Sequence, residues 1–441
     1  MRKLLKKLIP DLIFYWYHWK LAFLAALVYG FSSRKLKVIG VTGTKGKSTV
    51  VMLAGRILEE GGHKIGWISS LSIKAGDKEW MNPYHMTMPG RFFIQKTLRQ
   101  MVKNGCEFAI VEVTSEGIKQ HRHRFIKWAG AVFTNLAPEH IEAHGSFEKY
   151  RAAKLKLFTA AAKNKESFGV YNFDDENAEW FLKAGIKNKI VYGKSLRGAP
   201  HLRGGAAIPR DCRASLAMTD IRLFASGSEF EINDIKFKTN LLGEFNVYNC
   251  AAAATIGLAC GVPLEASKQS LERVKSIPGR LEIIDEGQNF TVVVDLAHTP
   301  DSFAKVFGLF RGLPYGHIIS VFGSAGGGRD KWKRPELGRI ASENSDVVII
   351  TNEDPYDELP EQIAKEIVAG CQKTQPEIIL DRREAITKTL SLAQAGDAVL
   401  ILGKGTEQTM VIGGKKIEWD DRAITREELK KIKTKNQSAR L

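Results

Sequence analysis

Short runs of β-branched and apolar residues alternate with longer mixed stretches from Lys37 almost to the end of the chain. Near-continuous apolar strands separated by helices are typical of parallel sheets that are covered on both faces. The pattern therefore predicts an α/β protein. The predicted strands are Val38–Thr42, Ile65–Ser69, Phe108–Val113, Ala131–Asn135, Gly169–Asn172, Thr291–Asp295, Ile318–Phe322, Val347–Thr351, Ile378–Leu380 and Ala398–Leu402.

Three segments between the strands carry other signals. Residues 220–242 contain a Gly-Ser turn and some polar/apolar alternation, which predicts antiparallel strands. Residues 194–216 are rich in Gly, Arg and Pro and predict a loop. The SIPGR segment at 276–280 falls between two α/β blocks. It predicts a boundary between a central domain, residues 37–277, and a C-terminal domain, residues 278–441.

The first 36 residues have a different character. Basic MRKLLKK precedes an apolar, aromatic stretch that is interrupted by Asp11, His18 and Lys20. A membrane span needs about 20 predominantly apolar residues. No small-residue cleavage site of a signal peptide is convincing. The segment therefore predicts a helix that packs on the protein or lies on a membrane surface. We expect a cytoplasmic protein that contacts the inner membrane face through residues 1–36.

Composition narrows the class of protein. The 441 residues are 44% hydrophobic and 26% charged, as expected for a globular chain of two to four domains. A formal net charge of +16 predicts acidic partners. The five cysteines are scattered, which favours a reducing compartment and argues against a structural zinc site. No basic face with interleaved aromatics supports nucleic-acid binding.

Residues 38–51, VIGVTGTKGKSTVV, predict a strand, a glycine-rich turn and a helix. Glycines let the backbone turn tightly, and the helix adds the positive end of its dipole. Such a turn is an anion cradle. Lys47 would reach the β- and γ-phosphates of a nucleotide, and Ser48 would offer its hydroxyl to Mg²⁺.

This turn, TGTKGKST, resembles the ATP loop of the Mur ligases, which add amino acids to the muramyl peptide precursor of peptidoglycan. Further resemblances follow in the family's order, over roughly residues 37–430. They are EVTSEGIKQHR (112–122), FTNLAPEHIEAHG (133–145), YRAAKLKLF (150–158), GEFNVYN (243–249), VDLAHTPDS (294–302), FGSAGGGRDKWKRP (322–335), GKGTE (403–407) and DDR (420–422). The pattern is most similar to the ligases that add the third residue. It implies a P-loop-type ATPase domain with a mostly parallel sheet, followed by a Rossmann-like α/β domain.

The resemblance also implies the site residues. ATP would be bound by Gly43, Thr44, Lys45, Gly46, Lys47, Ser48, Thr49, Asn249, Arg280, Asp295 and His298. Mg²⁺ would be held by Ser48, Glu112, His140 and Lys154, the last as a carbamate. Lys47, Lys154 and His140 would be catalytic. The substrates would be bound by Thr87, Thr114, Ser115, Gln120, Arg122, Arg329, Asp330, Asp354, Tyr356, Gly403 and Glu407.

Two departures from the family pattern bear on the substrates. Members carry an additional N-terminal domain that grips uridine diphosphate, whereas 36 residues precede the phosphate loop here. Uridine recognition is therefore open. In TNEDPYDE (351–358), Tyr356 stands where diaminopimelate-adding members have an arginine that clamps the distal carboxylate. The acidic residues around it favour a side-chain ammonium. We expect L-lysine or a similar diamine in preference to meso-diaminopimelate.

The implied activity is ATP-dependent amide formation through an acyl phosphate, which adds a diamino acid to UDP-N-acetylmuramoyl-L-alanyl-D-glutamate. The partners are this nucleotide-linked dipeptide and a free amino acid, and we expect a monomer. One alternative is folylpolyglutamate synthetase or another amino-acid ligase on the same architecture. A second alternative, outside enzymes, is a muramyl-peptide binding protein that kept the fold.

Overall fold

The structure is a computed structural model that describes residues 11–84, 86–138, 144–196 and 212–438. The chain divides into two compact units, the first ending at Lys275 and the second beginning at Ser276. The strands of the first unit are β1 (Lys37–Thr42), β2 (Ile65–Ile68), β3 (Ser72–Ala75), β4 (Lys78–Met81), β5 (Phe108–Glu112), β6 (Trp128–Phe133), β7 (Phe168–Asn172), β8 (Asn188–Gly193), β9 (Cys212–Phe224), β10 (Gly227–Ile232) and β11 (Ile235–Thr239). Its helices are α1 (Asp11–Val28), α2 (Lys47–Glu60), α3 (Arg91–Lys103), α4 (Ser115–Lys119), α5 (Phe147–Ala161), α6 (Ala178–Leu182), α7 (Glu244–Ala259) and α8 (Leu264–Arg273), and 3₁₀ turns cover Ser32–Lys35 and Lys194–Leu196.

These strands form one sheet in the order β11-β10-β9-β8-β7-β6-β1-β5-β2-β3-β4. The stretch from β9 to β2 is parallel, and the strands at both edges are antiparallel. All residues of β5, and all of β1 after Lys37, are buried. This burial on both faces explains the unbroken apolar runs in the sequence.

The second unit contains its own sheet. Its strands are β12 (Glu282–Ile283), β13 (Thr291–Asp295), β14 (Ile318–Phe322), β15 (Val347–Ile350), β16 (Glu377–Ile378), β17 (Ala398–Leu402), β18 (Thr409–Ile412) and β19 (Lys415–Glu418). Its helices are α9 (Pro300–Arg311), α10 (Lys333–Asn344), α11 (Pro360–Val368), α12 (Arg382–Leu392) and α13 (Asp421–Ser438). The sheet order is β12-β13-β17-β14-β15-β16, parallel except for β12, and β18 and β19 form a separate hairpin.

The predicted α/β fold with mostly parallel sheets is confirmed, and each of the ten predicted strands overlaps an observed one. The antiparallel strands predicted in residues 220–242 are also confirmed. The predicted loop at 194–216 is wrong at its end, because β9 begins at Cys212 and pairs in parallel with β8. At the start of β9, the exposed Arg213 and Ser215 alternate with the half-buried Cys212 and Ala214, so the residue types alone predicted a loop. Residues 197–211 of that prediction lie outside the described residues.

Helix α1 packs on the first unit, as one of the two predicted arrangements requires. Ala22, Ala25 and Ala26 are buried, and the ring of Trp19 lies 5.3 Å from that of Phe125. Among the helices of the described ranges, none combines the length and the apolar character of a membrane span.

Candidate active site

The glycine-rich turn connects β1 to α2 at the point where the strand order of the sheet reverses. Strand β1 lies between β6 and β5, so the segments that leave it meet a crevice at the carboxyl edge of the sheet. Ligands of open α/β sheets bind at such switch points. Gly43 and Gly46 have φ angles of 154° and 82°, and Gly46 is the N-cap of α2. The first N–H groups of a helix lack intrahelical acceptors and are available to an anion.

Residues after β6 hold this turn in place. The carbonyl of Asn135 accepts from Thr44 N (2.9 Å), and its side-chain Oδ1 accepts from Lys45 N (2.9 Å). Asn135 Nδ2 and Thr134 Oγ1 donate to the carbonyl of Lys45 at 3.0 and 2.8 Å. The turn is therefore fixed before any ligand binds, which lowers the entropic cost of binding.

Helix α7 closes the turn from the other side. A Cβ on Gly46 would lie 2.2 Å from Asn249 Oδ1, so only glycine fits. Asn249 is buried and donates through Nδ2 to Asn246 Oδ1 at 2.9 Å. The structure places Asn249 against the phosphate loop. Asn246 Nδ2 in turn donates to the carbonyl of Leu242 at 2.9 Å.

Ser48 and Glu112 meet at the start of α2 and the end of β5. Ser48 Oγ donates to Glu112 Oε2 at 2.9 Å, and Ser70 N donates to the same oxygen at 2.8 Å. Ser70 Oγ lies 2.7 Å from Ser48 Oγ. Mg²⁺ prefers oxygen ligands and is held by one or two protein carboxylates together with substrate phosphates. The residues present fit such an ion. No group of three or more His, Cys, Asp or Glu ligands occurs in the described part of the chain.

Two lysines approach the turn from opposite ends. Lys47 Nζ donates to the carbonyl of Thr44 at 2.8 Å. Lys154, on α5, is 2% exposed and its Nζ donates to the carbonyl of Gly43 at 2.7 Å. Both of these predicted residues therefore flank the loop. His140, predicted as a metal ligand, lies outside the described residues.

The first-unit residues predicted to bind substrate lie together beyond Glu112. Thr114 caps α4 by accepting from Gly117 N at 3.0 Å, and the adjacent Ser115 lies 3.1 Å from His144 Nε2. Arg122 donates to Gln120 Oε1 at 2.7 Å. It also donates to the carbonyl of Met88, the residue after the half-buried Thr87.

In the second unit, three residues predicted to bind ATP gather at the carboxyl end of β13. Asp295 Oδ2 accepts from Leu281 N at 2.7 Å, which places Arg280 next to that carboxylate. Arg280 Nε is buried and has no hydrogen-bond partner in the part of the chain that the structure describes. His298 Nδ1 donates to the carbonyl of Leu296 at 2.7 Å. When the ring is neutral, its one proton is therefore on Nδ1, and Nε2 is an acceptor.

The same edge of the second sheet carries a buried ion cluster around Lys404. Its Nζ lies 2.8 Å from Asp354 Oδ2 and 2.6 Å from Glu407 Oε2. Burial lowers the pKa of Lys404, but Glu407 and Asp354 outweigh it and raise the pKa overall. Gly403, just before this lysine, donates its N–H to the carbonyl of Asp295 at 3.0 Å. Sequence reasoning named the flanking Gly403 and Glu407 and missed Lys404 itself, although it stands inside GKGTE.

Glu353 is fully enclosed next to this cluster. Burial raises the pKa of its carboxyl group, and Lys333 and Lys404 oppose the rise. Its Oε2 is buried without a hydrogen-bond partner among the described residues, 2.6 Å from where a Cβ on Gly403 would stand. Burial has the opposite effect on Lys333, since it lowers the pKa of that ammonium group. An acid and a base with opposed shifts are common at functional sites.

Two of the four acidic residues around Tyr356 are paired with basic side chains. Asp354 pairs with Lys404, and Glu358 pairs with Arg334 and Lys331 at 3.0 Å each. Asp354 and Glu358 are therefore engaged within the unit, which weakens the sequence-based reason for a lysine-selective acidic pocket. Tyr356 adopts φ 54°, and its N–H donates to the carbonyl of Val411 at 3.1 Å.

The loop after β14 packs directly against this segment. Gly326 N donates to the carbonyl of Asp354 at 2.8 Å. Arg329 is exposed and Asp330 is half-buried on this loop, so both predicted residues border the Tyr356 segment.

A preformed phosphate loop at a switch point, with a hydroxyl and a carboxylate beside it, defines a nucleotide-binding α/β enzyme. The profile of the Mur ligase middle domain matches residues 41–257, and that of the Mur ligase glutamate ligase domain matches residues 279–405. The chain belongs to the Mur ligase family and is an ATP-dependent ligase.

Individual relatives support this assignment. A UDP-N-acetylmuramoyl-L-alanyl-D-glutamate–2,6-diaminopimelate ligase of Geobacillus kaustophilus (strain HTA426) is 38% identical over 420 residues, 93% of this chain and 82% of that protein. A UDP-N-acetylmuramyl-tripeptide synthetase of Roseiflexus sp. (strain RS-1) is 38% identical over 432 residues with the same coverage. A solved structure of a diaminopimelate-adding ligase superposes with a TM-score of 0.60 at 28% identity, covering 90% of this chain and 78% of that one.

Proposed function

We propose that this ligase joins a diamino acid to UDP-N-acetylmuramoyl-L-alanyl-D-glutamate in peptidoglycan precursor synthesis. The observation that carries the proposal is the fixed loop Gly43–Thr49 with Ser48 and Glu112 at its mouth, followed directly by the substrate motif that ends in Gln120 and Arg122. The names of relatives at 38% identity support the nature of the substrate.

The chemistry couples two bond exchanges. A carboxylate oxygen of the glutamyl residue bonds to the γ-phosphorus of ATP, and the bond to ADP breaks. The amine of the incoming amino acid then bonds to the acyl carbon, the carbon–oxygen bond breaks, and phosphate leaves with that oxygen. Catalysis of such transfers is mostly positioning and charge neutralisation.

The residues of the first unit suit these demands. Lys47 and the N-terminus of α2 would neutralise the phosphates, and Ser48 and Glu112 would hold Mg²⁺, which withdraws charge from the β- and γ-oxygens when bound. Lys154 is buried against the loop. An amine there that has reacted with carbon dioxide carries a negative charge and suits a second cation, whereas an ammonium repels it. His140 would join this metal site.

Residues of the second unit would bind the amino acid and the nucleoside. Arg280, Asp295 and His298 would contact the nucleotide, with Asn249 supporting its phosphate loop. Arg329, Asp330, Asp354, Tyr356, Gly403 and Glu407 would surround the amino acid. The enzyme would act as a cytoplasmic monomer. Because two of the four acids near Tyr356, Asp354 and Glu358, are already paired, the acidic sequence alone does not select lysine over meso-diaminopimelate.

A crossed substrate panel tests the proposal. ADP release is measured with UDP-linked or free muramyl dipeptide, each combined with L-lysine or meso-diaminopimelate. We expect release only when a muramyl dipeptide and a diamino acid are both present. Release that requires a folate and glutamate instead would establish the folylpolyglutamate alternative. If no pair of substrates leads to ADP release, the result would favour the alternative of a muramyl-peptide binding protein.

A variant pair assigns the activity to the loop. Lys47→Ala should lower turnover by at least about 10²-fold, the usual effect of removing a donor to developing charge. Lys103→Ala, at the exposed end of α3, removes the same charge away from the loop and should leave turnover unchanged. Both variants should keep the wild-type circular dichroism spectrum. Full turnover of Lys47→Ala would contradict the assignment.

A further inference from the structure

Helix α1 is apolar around most of its circumference, but within the described ranges only one of its faces packs on the protein. The inner face carries Ala22, Ala25 and Ala26, which are buried. Side chains beside them hold the helix in place. The ring of Tyr15 lies 4.4 Å from that of His121, and Phe23 lies 5.3 Å from Phe125.

A polar contact adds to this packing. His18 Nδ1 lies 2.7 Å from Arg91 Nη2, and the same guanidinium nitrogen donates to the carbonyl of Gln120 at 3.1 Å. The orientation of α1 on the unit is therefore set by specific contacts. Its opposite side is left facing outward.

The outer face consists of large apolar and aromatic side chains. Trp16 is 50% exposed, Leu24 45%, Leu27 54% and Val28 60%, with Tyr17 beside them. These positions recur at three, four, seven and eight residues, so they share one side of the helix. Lys20 is the charged residue among them, and its long apolar stem allows its ammonium to reach a polar layer. A helix that is apolar on both faces is stable when both faces are covered.

The charge of the surrounding sequence indicates what covers the outer face. Residues 1–37 contain eight basic side chains and one acidic one, Asp11. Arg2, Lys3, Lys6 and Lys7 precede the helix, Lys20 lies within it, and Arg34, Lys35 and Lys37 follow it. A second copy of this chain would bring like charges together at both ends of the helix. An anionic lipid surface complements them, and Trp and Tyr side chains prefer the membrane–water interface.

We propose that the outer face of α1 is a docking surface for an anionic lipid bilayer, on which the helix lies parallel to the membrane. Apolar burial and basic residues act together, since stable surface binding takes two signals. The proposal is independent of the ligase activity, which needs no residue of this face.

Flotation of the full-length protein with lipid vesicles tests this surface. The vesicles are pure phosphatidylcholine or phosphatidylcholine mixed with phosphatidylglycerol, at low and high salt. We expect the protein to float with the anionic vesicles at low salt and to be released by high salt, because salt screens the basic residues. A Leu24→Glu/Leu27→Glu variant should bind at least about tenfold more weakly, because two charges would enter the apolar layer.

A matched control uses exposed apolar residues elsewhere. Leu223 and Phe224, at the end of β9, are 37% and 43% exposed, and Leu223→Glu/Phe224→Glu should float like the wild type. Wild-type protein that stays unbound with anionic vesicles, or α1 variants that bind equally well, would overturn the proposal. A wild-type dimer in light scattering that the α1 variant converts to a monomer would also overturn it, in favour of a second copy. ADP release without vesicles, equal in all three proteins, shows that the variants are folded.

Discussion

Replacing Gly46 with alanine tests the geometry of the phosphate loop. Gly46 has a φ of 82°, and an added Cβ would stand 2.2 Å from Asn249 Oδ1. Gly62 provides a matched control. Its φ is 81°, also at one end of α2, but no atom of the described residues lies within 4 Å of its added Cβ. The two variants share the backbone strain and differ in the collision.

The expected magnitudes follow from this comparison. A left-handed conformation costs an L-residue about 1–2 kcal/mol, so Gly62→Ala should lower the free energy of unfolding by about that amount. In Gly46→Ala, Asn249 must also move, because the distance is far below van der Waals contact. It then gives up its 2.9 Å hydrogen bond to Asn246 in a buried site, at an additional cost of about 1–3 kcal/mol.

Urea denaturation and nucleotide binding by calorimetry measure the two effects. We expect Gly46→Ala to be less stable than Gly62→Ala by about 1–3 kcal/mol and to bind ATP more weakly, while Gly62→Ala binds like the wild type. A Gly46→Ala/Asn249→Ala double variant removes the colliding oxygen and should recover part of the lost stability. Equal stability and equal ATP affinity in the two single variants would refute the reasoning.

Two further predictions concern stability. Arg382 and Asp421 form a fully buried ion pair at 2.7 Å, so Arg382→Met should lower the free energy of unfolding in denaturant by about 3–5 kcal/mol. Arg339→Met, which breaks an exposed pair, should lower it by less than about 1 kcal/mol. Equal losses in the two variants would contradict this prediction. Burial lowers the pKa of His121 to about 4 and that of His123 to about 3, so both stay neutral in the fold while the unfolded chain binds their protons near 6.5. Stability is therefore present above pH 6.5 and falls as the pH drops below it, by up to about 2.7 kcal/mol per pH unit for two protons. His123→Gln should halve this slope in unfolding curves recorded from neutral pH down to pH 5, and an unchanged slope would exclude His123 as a source.

The regular strands were predictable because a strand that is buried on both faces consists almost entirely of apolar residues. Strands β1, β5, β14 and β17 are almost wholly apolar and were identified at nearly their full extent. By contrast, β9 carries exposed residues such as Arg213 and Ser215 at alternate positions near its start. The segment around Cys212 was therefore predicted to be part of a loop.

The candidate site likewise contains some residues that the sequence predicted and others that it did not. Lys47 and Ser48 stand in a glycine-rich string that predicts a phosphate loop, and Glu112 stands in a string that resembles a family motif. The structure brings Ser48 and Glu112 within 2.9 Å. Ser70, which binds the same carboxylate, comes from a short segment after β2 with no motif around it. Lys404 was missed because its partner Asp354 follows another strand and becomes its neighbour only when β15 and β17 are folded into one sheet.

An isotope experiment tests most directly whether the nucleotide at Lys47 activates a carboxylate. The muramyl dipeptide is prepared with ¹⁸O in the glutamyl carboxylate, and the phosphate released during ligation is analysed by mass spectrometry. Activation by phosphoryl transfer predicts one ¹⁸O atom in each phosphate, because the acyl carbon–oxygen bond is the one that breaks. Unlabelled phosphate, released while the amide forms, would contradict the proposed activation.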